Sequence, residues 1–94
     1  MPMLRIQHHV PSFEAWKQAF DADPLGREAA GVRRLQIHRS VSDPNLVMID
    51  LHFADRAQAV AFLERLRELW NGPGRAVMTH PQAWIVETVE SQTV

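Results

Sequence analysis

The side chains best suited to proton transfer in this sequence are histidines and the carboxylates near them. The chain holds 5 histidines among 94 residues, and His52 follows Asp50 at the two-residue spacing that places both on one face of a strand. His9 lies in an earlier alternating stretch and is expected to share that face. A carboxylate orients a neighbouring imidazole and favours its protonated form, so the pair can act as a general base. We therefore predict His52, Asp50 and His9 as catalytic residues.

Further polar side chains are expected on the same face, where they could hold a substrate. Guanidinium groups form charge-assisted hydrogen bonds and can stabilise an anionic or enolate oxygen. The predicted substrate-binding residues are Arg34, Gln7, Arg5, His38 and Met48. The alternative interpretation is that these groups pair across strands and make a polar interface between subunits.

Two histidines and a carboxylate can also bind a divalent metal with open positions. Metal ligands must converge closely, and the predicted register places His38 nearer to Met48 than to Asp50. We therefore predict no metal and no cofactor.

The remaining histidines and the aromatic residues have structural interpretations. His8 falls among apolar positions and is interpreted as a core histidine with satisfied hydrogen bonds. His80, directly before Pro81, is interpreted as a loop residue. The aromatic set is expected to lie mostly in the core, with one member lining a cavity: Trp16, Phe20, Phe62, Trp70 and Trp84.

Length and composition limit the classes of protein to which the chain can belong. Ninety-four residues at 10.8 kDa fit one domain, residues 1–94, with a small core that a second subunit would help to cover. The 10 basic and 11 acidic residues lack the excess of positive charge typical of nucleic-acid binding. With 0 cysteines, disulfides, thiolate metal sites and a cysteine nucleophile are excluded. No apolar run or leader pattern indicates a membrane or secretory segment, so a cytoplasmic protein is expected.

Alternation of apolar and polar residues predicts three strands in the first part of the chain. The stretch 3–10 alternates in this way, and the stretches 32–41 and 46–53 are separated by turn-forming residues that indicate a hairpin. The apolar positions of the two hairpin strands share a face if Ile37 lies opposite Ile49. That register fixes which polar side chains share the other face.

Helical spacing and capping residues predict two helices. Ser12 is suited to cap a first helix, whose apolar positions recur over 13–20. Asp55 is suited to cap a second helix, whose apolar positions recur over 59–70 until the segment 71–74 ends it.

A last strand is expected over about residues 82–90. Its alternation leaves two choices for the buried face. We predict that Trp84 and Val86 face the helices, because the opposite choice carries Glu87 into that interface.

The resulting order of elements predicts an α+β fold of the ferredoxin-like βαββαβ type, a four-stranded antiparallel sheet with two helices on one face. Right-handed crossovers give the strand order four, one, three, two. The predicted site residues then lie on the sheet face that the helices leave open. Its mixture of arginine, glutamine, histidine and methionine suggests that something covers it.

Several segments carry a resemblance to a known superfamily. They are Val10-Pro-Ser-Phe-Glu-Ala-Trp16 leading into Phe20-Asp21, Gly31-Val32, Asp43-Pro44-Asn45, and Val47-Met-Ile-Asp-Leu-His-Phe53 before an alanine-rich helix. Over nearly the whole chain, roughly Met3 to Glu90, the sequence resembles small bacterial proteins of the dimeric α/β-barrel superfamily, which includes proteins like the antibiotic-biosynthesis monooxygenases. The resemblance implies a homodimer formed through the open sheet faces. It also implies a cavity, between sheet and helices or between subunits, for a small, partly apolar ligand.

The residues of this chain match the site residues of some activities in that superfamily better than those of others. Its heme-degrading members carry an asparagine on the first strand and a tryptophan and a histidine on the second helix. Here the first strand offers Gln7, and Trp70 and His80 have the right interval, but the segment 71–74 breaks the helix between them. Its cofactor-free monooxygenases hold an electron-rich phenol near polar and aromatic groups, and this chain has 0 tyrosines, so tryptophan, histidine and arginine would have to fill those positions.

Two hypotheses for the function follow. The first is a cofactor-independent monooxygenase, or a cyclase or isomerase, acting on an aromatic or polyketide-like compound by histidine-assisted proton transfer. The second is a non-catalytic dimer that binds a small molecule or serves as a structural module. Both expect a second copy of the chain and a small molecule as partners, and neither expects nucleic acid or a membrane.

Overall fold

The computed structural model of the chain describes residues 2–72 and 79–94, and for residues 79 and 80 it describes the backbone. The elements follow the predicted order: β1 (Pro2–His9), α1 (Phe13–Asp21), β2 (Val32–Arg39), β3 (Leu46–Phe53), α2 (Arg56–Trp70) and β4 (Thr79–Glu87). The predicted βαββαβ arrangement is confirmed.

The four strands form one antiparallel sheet in the order β2-β3-β1-β4. This is the strand order expected from right-handed crossovers. Within the hairpin, Ile37 lies opposite Ile49 and Arg34 lies opposite His52. The predicted register of the hairpin is therefore confirmed.

Both helices begin at the predicted capping residues. The Ala15 amide donates to Ser12 Oγ at 3.2 Å, and the Gln58 amide donates to Asp55 Oδ1 at 2.9 Å. Each cap pairs an amide that the first helical turn leaves without an intrahelical partner.

The core lies between the sheet and the helices. Alternate residues of the two central strands are buried on the side facing the helices: Leu4, Ile6, His8, Val47, Ile49, Leu51 and Phe53. α2 adds Ala59, Phe62, Leu63, Leu66 and Trp70, whereas Trp16 is the buried residue of α1. The sheet thus has one covered face and one open face, as predicted.

The facing of the last strand was predicted wrongly. Ile85 pairs with Leu4 and Ala83 with Ile6, so the odd-numbered positions pack on the core. Trp84 instead lies on the open face, where 47% of its surface is exposed. The strand begins at Thr79 rather than at residue 82.

The reason for the error is the position of Glu87. This residue is the last of β4, at the end of the sheet, where its side chain is 61% exposed and its carboxylate accepts a hydrogen bond from Arg56 Nη2 at 2.8 Å. A glutamate at a strand end keeps its hydration, so placing it on the helix side costs little. His80 lies in β4, so its interpretation as a loop residue was also wrong.

Gly31 marks the entry to β2. It has a φ of +100°, a conformation that residues with a Cβ rarely adopt. A Cβ at this position would also collide with the side-chain amide of Gln58 on α2. The loop before β2 therefore lies directly against the start of the second helix.

In the part of the chain that the structure describes, neither helix has the length and apolar character needed to span a bilayer.

Candidate functional site

A cavity of about 360 Å³ lies between the covered face of the sheet and the two helices. Its walls are mostly apolar. β1 and β3 provide Ile6, His8, Ile49 and Leu51, α1 provides Trp16, Ala19 and Phe20, and α2 provides Phe62, Leu66, Leu69 and Trp70. A volume of this size falls in the range of small-molecule sites in proteins.

The loop after α1 forms one edge of this cavity and is held by Arg27. The Arg27 guanidinium donates to the Phe20 carbonyl oxygen at 2.8 Å and lies 4.0 Å from the centre of the Phe20 ring. Its Nη1 is 3.4 Å from Asp23 Oδ1, and the same carboxylate oxygen accepts from the Arg27 amide at 2.9 Å. The two charged residues at the cavity therefore pair with each other.

His8 is the buried polar side chain of the cavity wall. Its residue surface is 2% exposed, and its ring centroid is 5.4 Å from that of Trp16. Burial lowers the pKa of His8 to about 4, because the charged imidazolium loses its hydration. The ring is therefore neutral at neutral pH.

One nitrogen of that ring has no hydrogen-bond partner. Nδ1 is buried, and no donor or acceptor of the described residues pairs with it. The prediction that His8 lies in the core is confirmed. The sequence signals for this side of the sheet were a histidine at an apolar strand position and the set of aromatic residues of which one was expected to line a cavity; four of that set, Trp16, Phe20, Phe62 and Trp70, line it.

A second cluster lies on the open face and is centred on Asp50, which is 6% exposed. Arg5 Nε donates to Asp50 Oδ1 at 2.9 Å and Arg5 Nη2 donates to Oδ2 at 3.3 Å. His38 Nε2 is 3.4 Å from the same Oδ2. The hydrogen bond from Arg5 lowers the pKa of Asp50, with burial acting in the opposite direction. We call Asp50, Arg5 and His38 the Asp50 cluster.

Of the predicted catalytic residues, Asp50 and His52 lie two residues apart on one face of β3, and His9 lies apart from both. His52 lies opposite Met3 of β1, whereas His9 lies opposite Leu46, six register positions away. At about 3.3 Å per residue this separation is roughly 20 Å. His9 Nε2 is 3.3 Å from Asp43 Oδ2 in the β2–β3 loop. The structure thus brings Asp50 together with Arg5 and His38, and places His9 elsewhere.

The other predicted binding residues are distributed over the same face. Gln7 lies opposite Met48, and Arg34 lies opposite His52. The described lining of the cavity includes none of these side chains. The open face and the cavity are therefore two distinct candidate sites, on opposite sides of the sheet.

Among the side chains that the structure describes, those of residues 2–72 and 81–94, no group of three histidine, aspartate or glutamate side chains converges closely enough to hold a metal ion.

Comparisons with known proteins identify the fold. No family model matches the chain, and no curated protein matches it in sequence. Solved structures do match it. SnoaB, a cofactor-independent oxygenase from Streptomyces nogalater, superposes with a TM-score of 0.75 at 14% identity, over 96% of this chain and 94% of that one.

Two further structures extend the comparison. MhuD, in a structure with two manganese protoporphyrin IX molecules bound per active site, gives a TM-score of 0.68 at 17% identity over 100% of both chains. A candidate antibiotic biosynthesis monooxygenase from Nitrosomonas europaea gives 0.62 at 19% identity, over 96% of this chain and 100% of that one. The chain has the ferredoxin-like fold that these three proteins share.

Trp70 and His80 do not form the heme-degrading pattern of a tryptophan and a histidine on one helix. α2 ends at Trp70, and His80 belongs to β4. The two residues therefore do not share a helix. The helix ends where the predicted break at residues 71–74 begins, and residues 73 and 74 of that break lie outside the described residues.

Proposed function

We propose that this protein binds a small, mainly apolar molecule in the cavity between its sheet and its helices. The observation that carries the proposal is the cavity itself, about 360 Å³ with aromatic and aliphatic walls. A well-packed domain of this size leaves few voids larger than a water molecule. Apolar walls with a single buried polar side chain are typical of sites for small organic ligands.

We further propose that the ligand is an aromatic or polyketide-like compound and that the protein transforms it without a cofactor. Two outcomes are consistent with such a site: oxygenation of the ligand, or its cyclisation or isomerisation by histidine-assisted proton transfer. The aromatic rings of Trp16, Phe20 and Trp70 give flat surfaces on which a fused-ring compound can stack. SnoaB, a cofactor-independent oxygenase of the same fold, supports oxygenation as the first reaction to test.

A homodimer formed through the open face is the second part of the proposal. That face carries Trp84, an exposed aromatic residue, beside Arg5 of the Asp50 cluster. A large exposed apolar side chain among polar neighbours is typical of a surface that another protein covers. The catalytic roles predicted for His52, Asp50 and His9 would then apply to groups at the interface between two copies.

The reaction is tested with an electron-rich fused-ring phenol such as 1,5-dihydroxynaphthalene. Oxygen uptake is followed with an electrode, and conversion of the compound is followed by chromatography. Enzyme-dependent oxygen consumption or product formation supports catalysis. Saturable binding with neither oxygen uptake nor product would instead support the alternative, a non-catalytic ligand-binding dimer.

One substitution in each candidate site shows which of the two sites carries the chemistry. His8→Phe changes the cavity wall, and His52→Ala changes the open face. Loss of turnover in the first variant alone assigns the chemistry to the cavity. Loss in the second alone assigns it to the open face, as the sequence predicted.

A further inference from the structure

We infer that the ligand of this cavity carries a carboxylate on a short flexible arm, and that Arg33 and Arg34 bind this carboxylate in a groove beside the cavity. The apolar body of the ligand lies between the sheet and the helices, and its charged end lies near the surface. This inference rests on the proposed function, because it adds a second subsite to the same cavity and names the ligand as an amphipathic acid.

The groove lies at the start of β2 and has a volume of about 250 Å³. Charged and apolar side chains line it: Asp23, Arg27, Glu28, Val32, Arg33, Arg34 and Leu35. Asp23 and Arg27 also line the cavity, so the two spaces meet at this pair. A ligand whose ring system fills the cavity can therefore extend past Arg27 into the groove.

An irregularity in β2 brings two neighbouring arginines to the groove. Val32 lies opposite Phe53, and Arg34 lies opposite His52. Arg33 is therefore an additional residue in the pairing of β2 with β3. Successive side chains of a regular strand point to opposite faces of the sheet, whereas a β-bulge redirects a side chain. Here Arg33 and Arg34 both line the groove.

The charges of the groove favour a ligand with one negative charge. Arg27 Nη1 is 3.4 Å from Asp23 Oδ1, so these two residues neutralise each other. Within the described part of the chain, neither Arg33 nor Arg34 forms an ion pair. Their two positive charges stand against the one negative charge of Glu28. A carboxylate balances the remaining charge, whereas a phosphate dianion would exceed it and lie close to two carboxylates.

Hydration explains why the charged end lies in the groove rather than in the cavity. The cavity wall is mostly apolar, and its described charged residues, Asp23 and Arg27, pair with each other. A carboxylate inside the cavity would lose its hydration without gaining an opposite charge. Arg33 and Arg34 are exposed, so a carboxylate beside them keeps part of its hydration while it accepts charge-assisted hydrogen bonds.

The test compares 4-(1-naphthyl)butyrate with its primary amide, which has nearly the same shape and no charge. Dissociation constants are measured by equilibrium dialysis at low ionic strength, on the wild type and on a double variant, Arg33→Gln with Arg34→Gln. We expect the double variant to bind the acid roughly 5- to 20-fold more weakly, as for loss of two exposed charged contacts. It should bind the amide as well as the wild type does.

Arg67→Gln is the matched control. Arg67 is an exposed arginine of α2 and belongs to the described lining of neither the cavity nor the groove. Its substitution removes one positive charge from the protein, as each substitution in the groove does. Both dissociation constants should stay at their wild-type values, which separates a contact in the groove from an effect of net charge.

A second measurement uses the wild type alone. Added salt should weaken binding of the acid relative to that of the amide, because dissolved ions screen exposed charges. The inference would be overturned by equal affinity of the wild type for acid and amide, by a double variant that binds the acid unchanged or weakens both compounds equally, or by equal salt dependence. Each of these results leaves the cavity as a binding site. Failure of both compounds to bind the wild type would instead overturn the proposed function.

Discussion

The ring of His8 on β1 lies 5.4 Å from the ring of Trp16 on α1, centroid to centroid, with an angle of 59° between their planes. Trp16 in turn stacks on Phe20 at 5.1 Å and 28°. This chain of rings connects the sheet to the first helix along the wall of the cavity. The buried polar group of the cavity is thus held against an aromatic side chain of the helix that closes it.

The low pKa of His8 makes a prediction about stability and pH. The unfolded chain takes up a proton at His8 below pH 6.5, whereas the folded chain does so only near pH 4. The free energy of unfolding should therefore fall as pH is lowered from 6.5 to 4, by up to about 3 kcal/mol from this residue. Below pH 4 both states are protonated and the contribution becomes constant.

The measurement is urea denaturation of the wild type and of His8→Phe over this pH range. The difference between the two proteins isolates His8 from the other histidines. The variant should lose less stability between pH 6.5 and 4 than the wild type. Identical pH dependence in the two proteins would show that the folded chain does not keep His8 neutral.

Gly31→Ala is expected to destabilise the fold more than the matched change Gly26→Ala. Both glycines have positive φ, +100° at Gly31 and +62° at Gly26. A φ near +60° lies in the small left-handed region that a residue with a Cβ can enter at a cost of about 1 kcal/mol, whereas +100° lies outside that region. The Gln58 amide that the new methyl group would meet is the end of a flexible side chain and can move aside, so the backbone sets the difference between the two positions. We expect a total loss of about 2–3 kcal/mol for Gly31→Ala, measured by chemical denaturation. Equal losses at the two positions would show that the φ of Gly31 carries no additional strain.

Asp50→Asn tests the Asp50 cluster. The amide cannot form the charge-assisted hydrogen bonds that Arg5 makes with the carboxylate, and we expect a loss of about 1–2 kcal/mol because the Arg5 side chain is partly in solvent. The exposed pair of His9 and Asp43 gives the control, and Asp43→Asn should cost less than about 0.5 kcal/mol in the same denaturation experiment.

Asp50→Asn should also change how the free energy of unfolding depends on pH under acidic conditions. The pKa of Asp50 is lowered in the folded protein, so its contribution is complete above the unfolded value of 3.8 and is lost as pH falls below it. Asp50→Asn should therefore lose less stability than the wild type below pH 3.8. An equally steep loss in both proteins would exclude a stabilising role for the carboxylate.

Trp84→Glu should prevent the proposed dimer, because it places a charge on the open face where a second copy would bury an aromatic ring. Val60→Glu is the matched control: Val60 is 41% exposed on α2, which covers the other side of the sheet. Sedimentation at micromolar concentration should give dimers for the wild type and for Val60→Glu and monomers for Trp84→Glu. A monomeric wild type would contradict the dimer.

Much of the fold could be predicted because its signals are local. The alternation in β1 and β3 identifies their buried faces, and matching those faces across the hairpin fixes the pairing of Ile37 with Ile49. The facing of β4 could not be predicted from alternation alone. The facing depends on where the strand ends. The prediction assumed that Glu87 on the helix side would lose its hydration, but Glu87 is the last residue of the strand, stays exposed and contacts Arg56.

The candidate site was harder to predict because a cavity is a property of packing rather than of spacing. The residue types and spacing that indicate chemistry belong to polar residues such as Asp50 and His52, which lie on the open face. The cavity is formed by apolar residues of several elements, and its edge depends on how Arg27 holds the loop after α1 against Phe20. A residue-by-residue pattern contains no measure of the space left between such elements.

The most direct test of the central claim is binding of 1-naphthol to a chain whose cavity has been filled. Ala19 and Ala15 are both exposed on α1, but only Ala19 lines the cavity. Fluorescence titration should show saturable binding to the wild type and to Ala15→Phe, and binding at least roughly tenfold weaker to Ala19→Phe, whose ring occupies part of the space. Equal affinity of all three proteins for 1-naphthol would contradict a ligand site between the sheet and the helices.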